Sequence, residues 1–441
     1  MKRILVLGAG LVSRPMVRYL LDVPDFEVTV ASRTVSKAEE LVGTHARGRA
    51  LALNVDDDTA LEKLVTVTDL AVSLLPYTYH VKVASLCLKY RRPLVTTSYV
   101  SDAMRALDGE AKQAGVIFLN EIGLDPGIDH MSAMRIIHGV QQRGGKVAAF
   151  ESYCGGLPAP EANDNPLGYK FSWSPKGVVM AGRNDARYLK DGKEVFVPGA
   201  DLFGHRWPLK VQDGYEFEAY PNRNSLPYVE LYGLSGTRTM LRGTFRNPGW
   251  CSTLKAIADL GILKDDAVKT GIAALSPAEW MRRYVPGSGS LRADTAKKLG
   301  LPEADPVLGR FEWLGLFDTR PIGIGQGSNL DILAKQMLDR MAYQPGERDM
   351  IVLHHSFLAE YPGRPAERIY STLIDCGIPN GDSAMARTVS LPAAIAVRMI
   401  LDGRIRLTGV QIPVMAEVYN PVLDELARLG IECKERTEPG T

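Results

Sequence analysis

The sequence predicts an α/β fold, a Rossmann-type doubly wound parallel sheet, over roughly its first 120 residues. Three observations predict it. Short apolar runs alternate with amphipathic segments from Arg3 to Gly123. The runs are nearly continuous in apolar residues, as strands covered on both faces must be. The first of them ends in a glycine turn, Gly8-Ala9-Gly10, and a helical pattern follows it.

In order, "RILVLGAG" (Arg3–Gly10) reads as a buried strand, and apolar positions continue at helical spacing through Val17, Leu20 and Leu21. "FEVTVAS", "RALALNV", "DLAVSLLP", "PLVTTSY" and "VIFLNEIG" read as further strands. Helical segments Ser36–Val42, Asp58–Val65, Tyr79–Tyr90 and Asp102–Ala114 separate them.

The glycine turn points to a dinucleotide. Gly8 suits a tight turn, and Gly10 lets the backbone approach a pyrophosphate at the helix N-terminus beside Ala9, Leu11 and Val12. Ser13 stands where the third glycine of the fingerprint is expected. An NAD site places an acid at the end of the second strand, whereas here Ser32, Arg33 and Thr34 follow it and Lys37 comes one helical turn later. Arg33 can form a planar fork to a 2′-phosphate, so NADP(H) is the expected cofactor. Ligands gather at the carboxyl ends of parallel strands. Asn54 and Val55, Leu75, Thr97 and Ser98, and Ile122 with Gly123 occupy those ends and complete the expected cofactor set.

"NEIGLDPGIDHMSAM" (Asn120–Met134) gathers Glu121, Asp125, Asp129 and His130 between the last strand and a helix. Local rules explain two of the acids: Asp125-Pro126 suits a helix cap and first position, and Asp129 favours the first turn's dipole. The spacing matches no calcium or zinc loop, and no metal is expected. A carboxylate at the sheet's carboxyl edge remains, where nicotinamide and substrate should meet. His80 and His130 stand at no informative spacing from an acid and read as structural.

A net charge of +1 gives no electrostatic case for nucleic acid or an anionic membrane. No apolar run reaches the roughly 18–20 residues of a membrane span. The five cysteines are scattered without a CxxC pair, and the apolar run after Met1-Lys2-Arg3 is too short for a signal peptide. A reducing cytoplasm is the expectation. Beyond Asn247, "STLKAIADLGIL", "PAEWMRRYV", "RADTAKKLG", "DPVLGRFEWLGLF" and "NLDILAKQMLDRM" read as short amphipathic helices broken by Gly and Pro, with "VPGSGSL" a mobile loop.

"TTSYVS", "NEIGLDPGIDH", "ESYCGGLPAPEANDNPLGYKFSWSPKGVV", "AYPNRNS", "LRGTFR", "GERDM" and "SAMARTVSLPAAIAVRMILDG" together resemble the saccharopine reductase family, NADP-dependent and glutamate-forming, over essentially the whole chain. The resemblance implies three domains: the nucleotide domain at 1–125 with a returning helix near 383–401; a mixed α/β substrate and dimerisation domain at 126–246 and 343–382; and a helical insert at 247–342. It implies a homodimer in lysine metabolism. It also implies a reversible reaction in which glutamate condenses with aminoadipate semialdehyde and the imine takes a hydride from NADPH. Arg223 resembles the family's carboxylate anchor, and Arg242 and Thr244, beside Arg246, resemble a second contact segment. Tyr99 and Asp125 match substrate-facing positions, and Gly155-Gly156 bring backbone N–H groups near the ligand. For proton transfer the candidates are Asp125, Cys154 and Tyr99, in that order. Lys170 is open to three readings: an acid, a substrate carboxylate partner or a structural ion pair.

Two other readings compete. A carboxynorspermidine-type dehydrogenase on the same scaffold would want acids where Arg223 and Arg242 stand. An NADPH-binding regulatory protein without turnover would lack the hydroxyl and cationic residues that this sequence keeps.

Overall fold

The computed structural model describes residues 1–211, 214–264 and 267–440. The chain divides into two units, the first comprising Met1–Lys146, Tyr361–Arg364 and Gly381–Glu435. Its strands β1 (Lys2–Leu7), β2 (Phe26–Ser32), β3 (Gly48–Ala52), β4 (Leu70–Ser73), β5 (Leu94–Thr96) and β6 (Ile117–Leu119) fall on the predicted runs. They lie in the order β6-β5-β4-β1-β2-β3, every neighbouring pair parallel. This is the Rossmann order, whose reversal beside β1 opens a crevice at the strands' carboxyl ends. A seventh strand, Gly409–Gln411, extends the sheet in parallel beside β6.

Burial on both faces explains the composition of these strands. Ile4 to Leu7 are at most 1% exposed, as are Leu70 to Val72. The helix Ser13–Asp22 turns Met16, Val17, Leu20 and Leu21 inward, the periodicity legible in the sequence. Against it packs the returning helix Ala384–Leu401, started by the Ser383 hydroxyl, which accepts the Ala386 N–H. The helical run from Asp102 is broken into Asp102–Arg105 and Asp108–Ala114.

The first unit continues past residue 125 to Lys146 because the helix Ile128–Gln142 is part of it. That helix lies against Ala416–Arg428: His138 bonds the Tyr419 hydroxyl at 2.8 Å, and Arg135 bonds Asp424 at 2.8 Å.

The second unit comprises Val147–Glu360, Pro365–Asn380 and Arg436–Thr441. Its nine-stranded sheet is mixed: Thr239–Arg246 runs parallel to Lys146–Pro158 and antiparallel to Glu216–Pro221. The expected insert helices are present at Trp250–Asp259, Pro277–Arg282, Leu291–Leu299, Pro306–Trp313 and Asn329–Met341. Capping chemistry sets their starts. Ser276 with Glu279 and Ser328 with Asp331 form reciprocal capping boxes, while Ser290 and Asp305 accept single N–H bonds. These helices are no separate body. Trp250, Ile257, Trp280, Phe311 and Met337 share one core with Phe217, Leu241 and Phe245 of the sheet. The "VPGSGSL" loop, expected to be mobile, wraps the Arg282 guanidinium, which donates to the Gly287 and Gly289 carbonyls and to Asp294.

Two buried histidines couple this fold to pH. His80 starts the helix His80–Lys89, and His354 bonds the Thr372 hydroxyl at 2.8 Å. Burial holds the His80 imidazole down at about 4. Burial, then the charge of Arg436, does the same for His354. The unfolded chain protonates these groups near pH 6.5, so below that value it binds protons the native state does not. Stability is therefore complete above about pH 6.5 and falls as the pH drops towards 4, by up to roughly 3 kcal/mol per histidine. Urea unfolding from pH 7 to 4.5 should show this loss, and His354→Gln should flatten it; an unchanged slope would clear His354 of any part in it.

Candidate active site

At the carboxyl end of β1, Gly8 has φ +112, and a Cβ there would stand 3.0 Å from the Leu74 carbonyl oxygen. Only glycine fits. A Cβ on Gly10 would meet nothing, and Leu11 beside it is 70% exposed, so this part of the turn is open to a ligand. Ser13 replaces a glycine usefully: its hydroxyl accepts the Gly10 N–H at 3.0 Å and donates to the Gly8 carbonyl at 3.3 Å, closing the loop. The following helix has no side-chain cap at Val12 and no acid in its first turn. Its positive end is left for an anion.

At the end of β2, Ser32 is half-buried while Arg33, Thr34 and Lys37 are exposed. Among the described residues Arg33 forms no ion pair, so its charge is uncommitted. Asn54 and Val55 follow β3, where the Asn54 side chain accepts the Asp56 N–H and the Val55 carbonyl holds Lys82. Leu75 follows β4, half-buried. Ile122 is fully buried, and Gly123 is needed for packing, because a Cβ there would press within 3.1 Å of Thr97 and of the Pro126 carbonyl. The turn, the uncapped helix and Arg33 fit a dinucleotide with a 2′-phosphate.

The stretch from Asn120 is organised differently from the capping expectation. The helix starts at Ile128 after Gly127, whose φ is +149, so Asp125 is not its cap and Pro126 is not its first residue. The Asp125–Pro126 bond is cis. Gly127 cannot be replaced, since a Cβ would fall 2.0 Å from the Gly123 carbonyl oxygen. Asp129 caps locally, accepting the Gly127 N–H at 2.5 Å. Asp125 instead accepts the Tyr99 hydroxyl at 2.9 Å. Two of the three proton-transfer candidates thus form one pair.

Glu121 and His130, nine positions apart in sequence, pair at 2.9 Å with both side chains buried. Sequence spacing had given His130 no partner. His80 binds Ser73 at 2.9 Å on one ring nitrogen and Ser98 at 2.8 Å on the other, tying the ends of β4 and β5 together.

In the second unit one sheet face carries the polar row. Thr244 is the ladder partner of both Cys154 and Tyr220, and Arg242 of Ser152. Directly opposed residues share a face, and so do residues two apart along a strand. Arg242, Thr244 and Arg246 therefore line up with Cys154 and Tyr220. Arg242 is buried and stacks on Tyr228 at 4.4 Å. Burial drives the Tyr220 phenol up to about 12. Gly155 faces the opposite side, where a Cβ would stand 2.8 Å from Phe245 Cβ, so strand packing requires this glycine. Arg223 lies on an exposed turn with φ +56, its carbonyl accepting the Arg187 N–H at 2.9 Å.

Lys170 is committed elsewhere. Its buried ammonium binds Glu347 at 2.6 Å and Asp164 at 3.0 Å, the ion pairs that the third reading describes.

Arg246 is the residue the sequence reading undervalued. It is 6% exposed, and among the described residues it meets no carboxylate. Its guanidinium lies over Tyr169 at 5.0 Å and Trp250 at 5.5 Å, with Nη1 on the Phe245 carbonyl. Its Nε and the Trp250 indole N–H are buried without partners. Glu218, its ladder partner, is bound to Arg206 and the Cys251 N–H instead. A buried cation without a counter-ion costs several kcal/mol, and a ligand carboxylate would offset this.

Residues 4–119 match the saccharopine dehydrogenase NADP binding domain, and residues 123–431 the saccharopine dehydrogenase C-terminal domain. The chain is 40% identical to the saccharopine dehydrogenase [NADP(+), L-glutamate-forming] of Saccharomyces cerevisiae, covering 99% of both chains. It is 39% identical to the mitochondrial alpha-aminoadipic semialdehyde synthase of Bos taurus over 98% of its own length, spanning 47% of that longer protein. The solved apo saccharopine dehydrogenase (L-Glu forming) of S. cerevisiae superposes with a TM-score of 0.90, covering 99% of this chain.

The open end of β2 generates one expectation. Arg33→Ala should weaken NADPH binding by about ten- to a hundredfold, the worth of a charge-assisted contact, and leave NADH binding nearly unchanged. Fluorescence titration with both nucleotides checks it; an unchanged preference would remove Arg33 from the cofactor site.

Proposed function

The chain belongs to the saccharopine dehydrogenase family, and from that premise we propose that it interconverts saccharopine with L-glutamate and 2-aminoadipate 6-semialdehyde, using NADP(H), in lysine metabolism. The observation that carries this reading is the end-to-end match, 40% identity over 99% of the chain, to fungal proteins of that named activity. The reaction consumes saccharopine, NADP⁺ and water and releases glutamate, the semialdehyde, NADPH and a proton.

When bound, NADPH supplies the hydride that reduces the imine carbon. The glycine turn at Gly8–Gly10 and the uncapped helix would hold its pyrophosphate, and Arg33 its 2′-phosphate. The substrate's carboxylates call for buried cations. Arg246, without a carboxylate of its own, is the strongest candidate anchor, with Arg242 and Arg223 as further contacts and Thr244 as a hydroxyl donor. Lys170 is left out, because two carboxylates already neutralise it.

Condensation needs a proton removed from glutamate's ammonium before nitrogen attacks, and a proton delivered to the carbinolamine hydroxyl so that water leaves. One group can do both with no net change. Asp125 is that group in this reading. The Tyr99 hydroxyl donates to its Oδ1 at 2.9 Å and orients it. Cys154, next to Thr244 across the ladder, is the second candidate. We further propose a homodimer, which the family resemblance implies, and a reducing compartment such as the cytoplasm, which five cysteines outside any disulfide support. A carboxynorspermidine-type substrate would carry positive charge, which the buried Arg242 and Arg246 disfavour.

Saccharopine and NADP⁺ at mildly alkaline pH should yield NADPH, followed by nicotinamide absorbance. Arg246→Leu should raise the KM for saccharopine about a hundredfold while leaving NADPH affinity intact. If the wild-type protein turned over neither saccharopine nor, in reverse, glutamate with the semialdehyde, the proposed reaction would be wrong.

A further inference from the structure

Tyr99 sits in a segment whose two flanking residues are held by one side chain and its backbone. The Glu121 N–H donates to the Ser98 carbonyl at 3.1 Å, and Glu121 Oε1 accepts the Val100 N–H at 2.9 Å. The other carboxylate oxygen pairs with His130 Nε2 at 2.9 Å, and His130 is fully buried on its helix. Glu121 is 5% exposed, and its φ of +56 lies in the left-handed region that glutamate rarely adopts. An acid taken out of water persists when its oxygens are bonded, and here one is bonded to the Val100 N–H beside Tyr99 and the other to His130. On the same segment the Ser98 hydroxyl is held by His80.

We propose that Glu121 is a positioning residue: it clamps Ser98 and Val100, fixes Tyr99 between them, and through the Tyr99 hydroxyl aims the Asp125 carboxylate. This rests on the reaction proposed above. What matters is the reach of the side chain, since its two oxygens must meet the Val100 N–H and His130 at once from a left-handed backbone. Charge is secondary. Aspartate keeps the charge and suits a positive φ better than glutamate, but is one methylene too short to meet Val100 and His130 together. Glutamine keeps the length and an acceptor for Val100.

The test is a double-mutant cycle on kcat/KM for saccharopine. Glu121→Asp should lose about tenfold or more, whereas Glu121→Gln stays within about threefold of wild type. In a Tyr99→Phe background Glu121→Asp should cost less than about twofold, because the hydroxyl it positions is gone. A purely structural role predicts the same loss in both backgrounds, and that result, or full activity of Glu121→Asp, would overturn the proposal. If Glu121→Asp does not fold, His130→Gln gives the same cycle by loosening the same carboxylate. If the wild-type protein proves inactive on saccharopine, the reaction fails rather than the clamp. Exchange of the Val100 amide hydrogen then decides: accelerated by Glu121→Asp and not by Glu121→Gln, or the clamp is wrong.

Discussion

A parallel sheet whose central strands are buried on both faces has no room for charge along their middles, and this constraint organises the first unit. Ile4 to Leu7 and Leu70 to Val72 are excluded from water. Polar chemistry is displaced to where the strands stop, and the groups that could touch a nucleotide or a substrate collect there: the glycine turn, Arg33, the Ser98–Tyr99 segment and Asp125. The strand ends are in turn cross-braced by polar side chains that burial would otherwise penalise. His80, kept neutral by burial, joins β4 to β5, and Glu121 joins the end of β6 to the segment after β5.

The second unit solves the opposite problem. Its mixed sheet sinks Arg242 and Arg246 into an aromatic surrounding instead of keeping charge at an edge. Glu218, the ladder partner of Arg246, is already bound to Arg206 and the Cys251 N–H. Arg246 keeps its attraction for an anion because its neighbours are aromatic rings and thiols. Cation–ring contacts of this kind stabilise a guanidinium by about 0.5–2 kcal/mol, well short of a buried carboxylate partner.

Sequence patterns revealed what local physics decides. The first six strands, the glycine turn after the first of them and the short insert helices follow from periodicity and from Gly and Pro breaks, whereas the returning helix at 383–401 was expected from the family resemblance. Contacts between distant or oddly spaced residues were not legible. Asp125-Pro126 obeys the capping rule, yet the helix begins two residues later and Asp125 turns to Tyr99, twenty-six positions upstream. His130 meets Glu121 across a turn that no spacing rule describes. Arg246 was visible two places beyond Thr244, but nothing in a strand pattern says which arginine is buried without an acid. Lys170 looked available because its partners, Asp164 and Glu347, are set by tertiary packing.

The first unit is assembled from both ends of the chain, and synthesis must reckon with that. Its sheet lacks the strand Gly409–Gln411, and the helix Ser13–Asp22 lacks its partner Ala384–Leu401, until synthesis has passed those residues. For that interval the faces carrying Met16, Val17 and Leu20 stay uncovered while the second unit, encoded in between, has most of its sequence in hand. The nucleotide-binding unit begins before the second unit in sequence and is completed only after most of it.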